Sequence, residues 1–374
     1  MRDFDIAIIG GGIAGVSLAH FLGAAARVVL LEAEDQPGYH STGRSAAEFV
    51  LNYNAPEVMA LARAAKPFFD HPPEGFADVP LLVHRGGVGI SGTESGEALA
   101  RLYASLAPRV PGLRRLTVAE AQARIPFLDG AAVTDAFYDP EFWDIEVDAL
   151  MQGYLRSARR AGVEVRLKSG LVSAVRDGAG WRMETASGPL TAGILVNAAG
   201  GFADGVAARC GVAPLGIQPM RRTAILVDLP EEVDARGLPE LNEAADSFYF
   251  KPDGGRLLVS PADETPCEAG DVQPEEIDIA WAVHHLESFT SLRVKRVAKA
   301  WAGMRSFSPD RLPVAGFDPV TPGFFWLAGQ GGYGILTSPA LGALAAALVQ
   351  GFPVPEALAR EGITAETFSA ARFG

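Results

Sequence analysis

The sequence predicts an α/β fold in which a Rossmann-like domain is interleaved with an α+β domain built on an antiparallel sheet. The first observation is a strand–glycine–helix–strand pattern over residues 4–31. The second is the end of the chain, where a strand at residues 324–328 and a glycine-rich turn precede a small-residue helix over residues 333–350. The third is the alternation of apolar and polar residues in segments 217–229 and 247–260, which is typical of antiparallel strands.

The remaining elements follow from local patterns. Apolar periodicity predicts helices over residues 55–70, 146–161 and 274–289. Short strands and helices are expected over residues 80–140. After the helix at 146–161, strands are expected up to Asn197. Neither a repeat nor a low-complexity linker interrupts the chain, so we expect the two domains to alternate along it. We assign residues 1–80, 141–215 and 300–374 to the Rossmann-like domain, and residues 81–140 and 216–299 to the second domain.

The glycines after the first strand carry a nucleotide-binding pattern. Gly10, Gly12 and Gly15 form G-x-G-x-x-G, in which the glycines permit a tight turn, close approach of the backbone to a pyrophosphate, and close helix–strand packing. Glu32 ends the second strand, where an acid bonds the ribose hydroxyls. The pyrophosphate is expected at the N-terminus of the following helix, where unpaired N–H groups favour an anion. The first unit is therefore predicted to bind a dinucleotide.

A second copy of the pattern lies at Gly87, Gly89 and Gly92. No hydrophobic strand ending in an acid follows it, so we interpret these glycines as a turn between short strands. Without a second nucleotide-binding fold, we predict no binding site for NAD(P)H. The electrons of a bound flavin are therefore expected to come from the substrate itself.

Two later segments favour FAD over NAD as the dinucleotide. Residues 195–200 end a strand in small residues, which lets the backbone lie close to a cofactor. Residues 329–335 follow a strand and open a helix, and the amides there are placed to stabilise negative charge at the N1–C2=O edge of a reduced flavin. The Rossmann-like domain is thus predicted to bind FAD, and the second domain to bind the substrate.

Composition excludes several classes of function. The chain has 32 Lys and Arg against 45 Asp and Glu, a net charge of −13, which makes nucleic-acid binding a poor expectation. Its two cysteines, Cys210 and Cys267, are in no metal-ligand spacing, so we predict neither a disulfide framework nor a metal site. No signal-peptide pattern or membrane-spanning stretch is evident. We expect a cytoplasmic protein and leave peripheral contact with the inner membrane open.

Arginines and tyrosines in the middle and later parts of the chain are the candidates for substrate binding. Arg221 and Arg222 begin a strand, Tyr249 lies in another, and Arg305 follows a Gly-Met pair. An arginine fork binds a carboxylate through two hydrogen bonds, and tyrosine hydroxyls complete such a clamp. The pattern predicts a small-molecule substrate that carries a carboxylate.

The run Gln-Pro-Gly-Tyr-His-Ser-Thr-Gly-Arg-Ser-Ala-Ala at residues 36–47 identifies a family resemblance. Together with Ser-Phe-Tyr at 247–249, Lys-Pro-Asp at 251–253 and Gln-Gly-Gly-Tyr-Gly-Ile at 330–335, it resembles the D-amino-acid-oxidase-type flavoproteins. Within that family the chain is most similar to bacterial D-arginine dehydrogenases, and the similarity spans nearly its whole length.

This resemblance implies non-covalently bound FAD and a substrate α-carboxylate held by Tyr53, Arg222, Tyr249 and Arg305. It also implies that the backbone carbonyl of Gly332 receives the substrate amine. The implied reaction transfers hydride from Cα to flavin N5, and the imino acid hydrolyses to a 2-oxo acid and ammonia. Beyond Gly10, Gly12, Gly15 and Glu32, the expected cofactor-binding residues are Ile13, Ala14, Ser41, Thr42, Arg44, Ser45, Ala46, Val172, Ala199, Gly200, Gly303, Gly331, Gly332, Tyr333, Gly334 and Ile335.

The chain departs from the D-arginine enzymes in its side-chain pocket. Gly87 stands where those enzymes carry the carboxylate that binds the guanidinium, and a buried guanidinium without a partner is costly. Glu48 stands where they carry an active-site histidine, and a lid-like stretch at residues 240–246 also differs. Glu48 either replaces the lost charge from another wall or is a solvated helix-end residue. We therefore carry over carboxylate recognition and flavin chemistry, but not arginine specificity.

Three functions remain open at this point. The first is oxidative deamination of D-amino acids whose side chain is not restricted to arginine, and the second is oxidation of N-alkyl glycines or 2-hydroxy acids. The third is a non-catalytic flavin-binding subunit, against which the retention of the four clamp residues argues. Ala46, which faces the flavin in the dehydrogenases, favours a quinone or an electron-transfer protein over oxygen as electron acceptor.

Overall fold

A computed structural model describes residues 2–374. The strands in this range are β1 (Phe4–Ile9), β2 (Val28–Leu31), β3 (Glu48–Val50), β4 (Leu82–His84), β5 (Gly87–Ser91), β6 (Arg114–Leu116), β7 (Asp135–Asp139), β8 (Phe142–Ile145), β9 (Glu164–Arg166), β10 (Leu171–Asp177), β11 (Gly180–Thr185), β12 (Gly188–Asn197), β13 (Gln218–Val227), β14 (Glu240–Glu243), β15 (Tyr249–Asp253), β16 (Arg256–Ser260), β17 (Thr265–Pro266), β18 (Val297–Phe307), β19 (Val314–Phe317), β20 (Phe324–Ala328) and β21 (Gln330–Gly331). The helices are α1 (Ile13–Leu22), α2 (Pro56–Asp70), α3 (Gly96–Leu106), α4 (Val118–Arg124), α5 (Val147–Arg160), α6 (Ala203–Arg209), α7 (Glu276–Phe289), α8 (Gly334–Val349) and α9 (Glu356–Arg360). Among residues 2–374, no helix is both long and apolar enough to cross a bilayer.

The first sheet has a Rossmann-like parallel core. Strands β20, β12, β1, β2 and β9 run parallel in that order. Strand β11 pairs antiparallel with β12, and β10 pairs antiparallel with β11 at the edge of the sheet. Ile9 lies between Leu31 and Asn197 in register, so the carboxyl ends of three parallel strands meet at one edge. This is the edge at which open α/β sheets bind their ligands.

Helices cover both faces of the first sheet. Helices α1, α5 and α8 pack over one face in a continuous apolar core, and α6 contributes to the core on the other face. The small residues of α8 allow it to approach α1 closely, since a Cβ on Gly342 would lie 2.9 Å from Oγ of Ser17. The small-residue pattern at the end of the chain therefore serves packing within the monomer.

The second sheet is largely antiparallel, in the order β21-β18-β13-β16-β15-β14-β5-β7-β6. Only β14 and β5 pair in parallel along this path. Apolar residues of α4 and α7 pack against one face of this sheet. The opposite face carries Arg222, Tyr249 and Arg305. A third, small sheet of β3, β8 and β4 joins the two parts of the chain.

The predicted fold class is confirmed, and the four long helices lie within two residues of their predicted bounds. The interpretation of Gly87, Gly89 and Gly92 as a turn is wrong for the first two, which lie in the buried strand β5. They are small because aromatic rings cross them: a Cβ on Gly87 would lie 2.7 Å from the Phe142 ring, and one on Gly89 would lie 2.4 Å from the Phe137 ring.

One predicted domain boundary falls inside a strand. Residues 300–307 were assigned to the FAD-binding part, but they belong to β18, which pairs with β13 along its length in the second sheet. Local residue patterns do not show that β18 belongs to the second sheet, because elements of the first sheet follow it directly in the sequence. The division of the chain into two domains otherwise stays a prediction.

Candidate active site

A cavity of about 1300 Å³ lies at the carboxyl edge of the first sheet and extends to the second. Its walls combine the glycine loop after β1, the segment 38–48, the end of β12 and the turn before α8 with side chains of β13, β14, β15 and β18. Pockets for drug-sized ligands are about 300–1,000 Å³. This cavity is larger, so it has room for a dinucleotide together with a small substrate.

Two positions of the first loop must be glycine because a side chain there would collide with the backbone. Gly10 has a φ of +109°, and a Cβ there would lie 2.5 Å from the carbonyl oxygen of Ala198. A Cβ on Gly15 would lie 1.9 Å from the carbonyl oxygen of Gly10, so Gly15 serves helix–strand packing and does not line the cavity. The hydroxyl of Thr42 accepts a hydrogen bond from the N–H of Ile13 at 3.1 Å and fixes the start of α1.

Glu32 is held rigidly at the end of β2. The N–H of Gly11 donates to Oε2 at 2.7 Å, and the N–H of Glu34 donates to Oε1 at 2.9 Å. Each carboxylate oxygen keeps a further lone pair, and the residue lines the cavity. The arrangement matches an acid that accepts hydrogen bonds from ribose hydroxyls.

Arg44 ties the two sheets together beside the cavity. Its guanidinium donates to the carbonyl oxygens of Val272 at 3.0 Å and Ala302 at 3.1 Å, and it also pairs with Asp271. The indole N–H of Trp301 donates to the Arg44 carbonyl oxygen at 3.0 Å. Arg44 therefore fixes the position of the segment 41–47 relative to β18.

Buried polar atoms without partners point to a bound group. Four such atoms on cavity-lining residues find no hydrogen-bond partner within the described part of the chain: His40 Nδ1, Glu48 Oε1, Ser306 Oγ and Gln330 Nε2. Buried polar atoms in folded proteins are normally satisfied. His40 lies in the segment 38–48 of the cavity wall, Gln330 lies in the turn before α8, and Ser306 lies on β18, where it pairs with Gly331 of that turn. The residues present therefore fit FAD.

Most residues predicted to bind the cofactor line this cavity. They are Gly10, Gly12, Ile13, Ala14, Glu32, Ser41, Thr42, Arg44, Ser45, Ala46, Ala199, Gly200, Gly303, Gly331, Gly332, Tyr333, Gly334 and Ile335. Val172 is the exception besides Gly15: its side chain is 59% exposed, and the cavity wall is formed by its neighbours Gly170 and Leu171. The β-bulge between Leu171 and Ser173 turns Val172 out of the regular pairing.

Arg222 and Arg305 form a cationic site in the cavity wall. They lie on the adjacent strands β13 and β18, where Arg222 pairs with Gly303 and Arg305 pairs with Met220. Arg222 donates to the carbonyl oxygen of Asp263 at 2.8 Å and pairs with Glu264. Arg305 has neither a hydrogen bond nor an ion pair to any of residues 2–374. Burial, reinforced by Arg222, lowers the pKa of Arg305. A half-buried guanidinium without a protein partner, beside a second guanidinium, is suited to bind a carboxylate.

The two predicted clamp tyrosines differ in their contacts. Tyr249 is buried on β15 and faces the cavity with Arg222 and Arg305. Tyr53 also lines the cavity, but its hydroxyl donates to Oδ2 of Asp139 at 3.1 Å. Burial and the Asp139 carboxylate raise the pKa of Tyr53 well above its ordinary value. The single hydroxyl proton of Tyr53 is thus committed to Asp139 in this structure, and its donation to a substrate carboxylate stays a prediction.

The sequence analysis noted Glu240 only as part of a lid-like stretch and did not assign it to the site, although it lines the cavity and is only 2% exposed. The stretch 240–246 resembled a lid, but its first four residues form strand β14 inside the second sheet. Only the turn after it has a loop conformation, with Asp246 at a φ of +56°. Four residues are too few to reveal a strand by alternation, and the parallel pairing of β14 with β5 is not visible locally.

Glu48 lines the cavity, whereas Arg221 does not. Glu48 begins β3, so the reading of it as a solvated helix-end residue is wrong. Arg221 points to the other side of β13 and pairs with Glu275 and with Asp278 at 2.9 Å. Adjacent strand residues face opposite sides, which separates the roles of Arg221 and Arg222.

Comparisons with known proteins agree with this geometry. The model of the family described as FAD dependent oxidoreductase (DAO) matches residues 5–348. The chain is 26% identical to glycine oxidase from Geobacillus kaustophilus over 361 residues, 93% of each chain. The crystal structure of glycine oxidase from that organism has a TM-score of 0.83 at 24% identity and covers 100% of this chain and 98% of its own.

Two further relatives have other activities. The chain is 24% identical to hydrogen cyanide synthase subunit HcnC of Pseudomonas aeruginosa over 423 residues, 100% of this chain and 97% of the relative. It is 25% identical to mitochondrial dimethylglycine dehydrogenase of Homo sapiens over 241 residues, 59% of this chain and 28% of that protein. The chain therefore belongs to the DAO family of FAD-dependent oxidoreductases, and its cofactor is FAD.

Proposed function

We propose that this protein oxidises the Cα–N bond of a small amino acid, with D-amino acids as the first candidates. The observation that carries the proposal is Arg305, a half-buried guanidinium without a protein partner among residues 2–374, next to Arg222 in the cavity that fits FAD. A substrate carboxylate would supply the missing negative charge. The D-configuration rests on the sequence resemblance alone, since the three relatives described above are not D-amino acid dehydrogenases.

The residues of the cavity have distinct roles in this reaction. Bound FAD supplies a two-electron acceptor for the hydride that leaves Cα. Arg222, Arg305 and Tyr249 hold the carboxylate, and the carbonyl of Gly332 accepts a hydrogen bond from the amine. The low-dielectric pocket favours the neutral amine, whose lone pair helps to expel hydride. Loss of hydride from Cα and a proton from nitrogen leaves an imino acid, which water converts to a 2-oxo acid and ammonia.

Oxidation of glycine or N-alkyl glycines is the second candidate. Glycine oxidase and dimethylglycine dehydrogenase, by their names, act on such compounds, and the chain is similar to both. The carboxylate site suits these substrates equally well. A 2-hydroxy acid would also satisfy the arginines, but it offers no amine to the Gly332 carbonyl.

We further propose a cytoplasmic dehydrogenase that passes its electrons to a quinone or an electron-transfer protein. Ala46, which lines the cavity, supports a slow reaction with oxygen through its match to the dehydrogenases. Oxygen consumption and the reduction of an artificial quinone, measured with the same substrate, separate the two cases. Faster turnover with oxygen than with quinone would contradict this part of the proposal.

The test is anaerobic reduction of the flavin by a panel of D-amino acids, their L-forms, glycine, sarcosine and 2-hydroxy acids. Removing one partner of a buried charge pair costs about 2–5 kcal/mol, so Arg305→Met should lower the second-order rate of reduction at least about thirtyfold. Arg182→Met, an exposed position on β11 outside the cavity, is the matched control and should react normally. Reduction by none of the amino acids, with FAD bound, would refute the proposal.

A further inference from the structure

Two carboxylates in the cavity wall have no role in the reaction proposed above. Glu48 comes from β3 and Glu240 from β14, so separate sheets bring them to one cavity. Oε1 of Glu48 is buried and finds no hydrogen-bond partner in the chain from residue 2 to residue 374. Oε1 of Glu240 accepts one hydrogen bond, from the side-chain amide of Asn242 at 2.8 Å.

The cations beside these carboxylates already have other partners. Asp144 pairs with Arg85 and, at 2.7 Å, with Lys251, whose Nζ also donates to the carbonyl oxygen of Ala46 at 2.6 Å. The pKa of Asp144 is lowered by these two cations despite its burial. Arg305 also lies within range of the Glu48 charge, but it is the cation assigned to the substrate carboxylate. Once that carboxylate is bound, the three carboxylates Glu48, Glu240 and Asp144 face two remaining cations, both already engaged with Asp144.

The excess negative charge can be neutralised by a proton or by a cationic ligand. Burial and the nearby Glu48 carboxylate raise the pKa of Glu240 well above its ordinary value. A buried carboxylate without a counter-ion takes up a proton rather than remain charged. A cation that enters the cavity would replace this proton and satisfy the free Oε1 of Glu48.

We infer that Glu48 and Glu240 form a subsite for a cationic group on the substrate's side chain, a guanidinium or an ammonium. The inference rests on the proposed function, because it assigns a side chain to an amino acid whose carboxylate lies at Arg305. The cation is not the reacting amine, since a carboxylate pair that held this amine as ammonium would withhold the lone pair needed to expel hydride.

The position of Glu240 also resolves the absence of an acid at residue 87. Glu240 is the direct partner of Gly87 in the parallel pairing of β14 with β5. The Phe142 ring occupies the space beside Gly87, at 2.7 Å from where a Cβ would lie. The acid is thus supplied by the neighbouring strand, and the loss of a carboxylate at residue 87 does not exclude basic substrates.

The test compares charged substrates with neutral ones of the same shape in the wild-type holoenzyme. We expect D-arginine to reduce the flavin with a second-order rate about tenfold or more above that of D-citrulline, and D-lysine likewise above D-norleucine. In Glu48→Gln and Glu240→Gln these ratios should fall towards one, because the rates for the charged substrates fall more than the rates for the neutral ones. Glu141→Gln removes a nearby acid that does not line the cavity, and it should keep the wild-type ratios.

The outcomes separate the inference from the proposed function. Equal rates for charged and neutral substrates in the wild type overturn the cation subsite and leave amino-acid oxidation standing. A charge preference that persists in both Gln variants overturns its assignment to these two residues. Reduction by no amino acid overturns the proposed function, and the inference with it. The wild-type comparison needs no variant, so a failure of either variant to fold does not prevent the test.

Discussion

Gly332→Ala tests whether the proposed binding of substrate by Arg305 depends on the position of its guanidinium. A Cβ on Gly332 would lie 2.9 Å from both Cζ and Nε of Arg305. The glycine does not occupy the left-handed region, so alanine fits its backbone without strain. The new methyl group therefore acts through one neighbour, the guanidinium, and keeps the carbonyl that is proposed to bind the amine.

The size of the effect follows from the displacement. Ordinary van der Waals contact of a Cβ begins near 3.4 Å, so the guanidinium must move by about half an ångström. A misplacement of about 1 Å in a reacting complex costs about a hundredfold in rate. We expect Gly332→Ala to lower the second-order rate of flavin reduction about tenfold. Because Gly332 also belongs to the turn predicted to bind FAD, the flavin content of the variant is measured first and the rate is expressed per bound flavin.

The measurement is anaerobic stopped-flow reduction of the flavin, together with a double-mutant cycle. If the methyl group acts through Arg305, then adding Gly332→Ala to Arg305→Met should change the rate little, since the affected guanidinium is already gone. A single variant as fast as the wild type would refute this reasoning. A tenfold loss of rate on adding Gly332→Ala to Arg305→Met would also refute it, because the guanidinium is absent from that background.

Two further predictions concern the cofactor loop and the core. Gly15→Ala would place a Cβ 1.9 Å from the Gly10 carbonyl oxygen, so the purified variant should contain little FAD and melt several degrees lower than the wild type. Gly96→Ala is the control, because open space surrounds that glycine, and it should change neither the FAD content nor the melting temperature. Retention of FAD by Gly15→Ala would contradict this. Burial lowers the pKa of His20 to about 4, so the unfolded chain binds its proton at higher pH than the folded protein, and stability is lost as the pH falls from about 6.5 towards 4. Allowing for partial exposure, the loss is about 1–2 kcal/mol. Urea unfolding of His20→Leu at pH 7 and pH 4.5 should give a smaller difference than the wild type, and an equal difference would rule out this origin.

Local patterns sufficed for the parts of the fold that short-range physics determines. The strand, glycine loop and helix over residues 4–22 could be predicted because each glycine meets a contact a few residues away or across one strand. The long helices could be predicted because periodicity is local. The adjacent positions of Arg222 and Arg305 agree with the resemblance, but their juxtaposition depends on the pairing of β13 with β18, which are far apart in sequence.

The features that could not be predicted depend on long-range pairing. Strand β5 resembles a glycine-rich turn until Phe137 on β7 and Phe142 on β8, about 50 positions later in the sequence, are seen to pack over its glycines. Glu240 enters the cavity only because β14 pairs in parallel with β5. Tyr53 finds Asp139 across 86 positions of sequence. In each case the fold brings together residues that are far apart in the sequence, and no sequence motif marks these contacts.

The distribution of charge in the cavity has a stereochemical consequence. If the arginines hold the carboxylate, the Gly332 carbonyl holds the amine and Glu240 holds the side chain, then three of the four substituents of Cα are fixed. The remaining hydrogen has only one orientation, so one enantiomer alone presents it for transfer. Glycine and N-alkyl glycines have no side chain and would be oriented without Glu240. The two substrate classes proposed above would therefore use different parts of one cavity, and selection by handedness would apply only to the first.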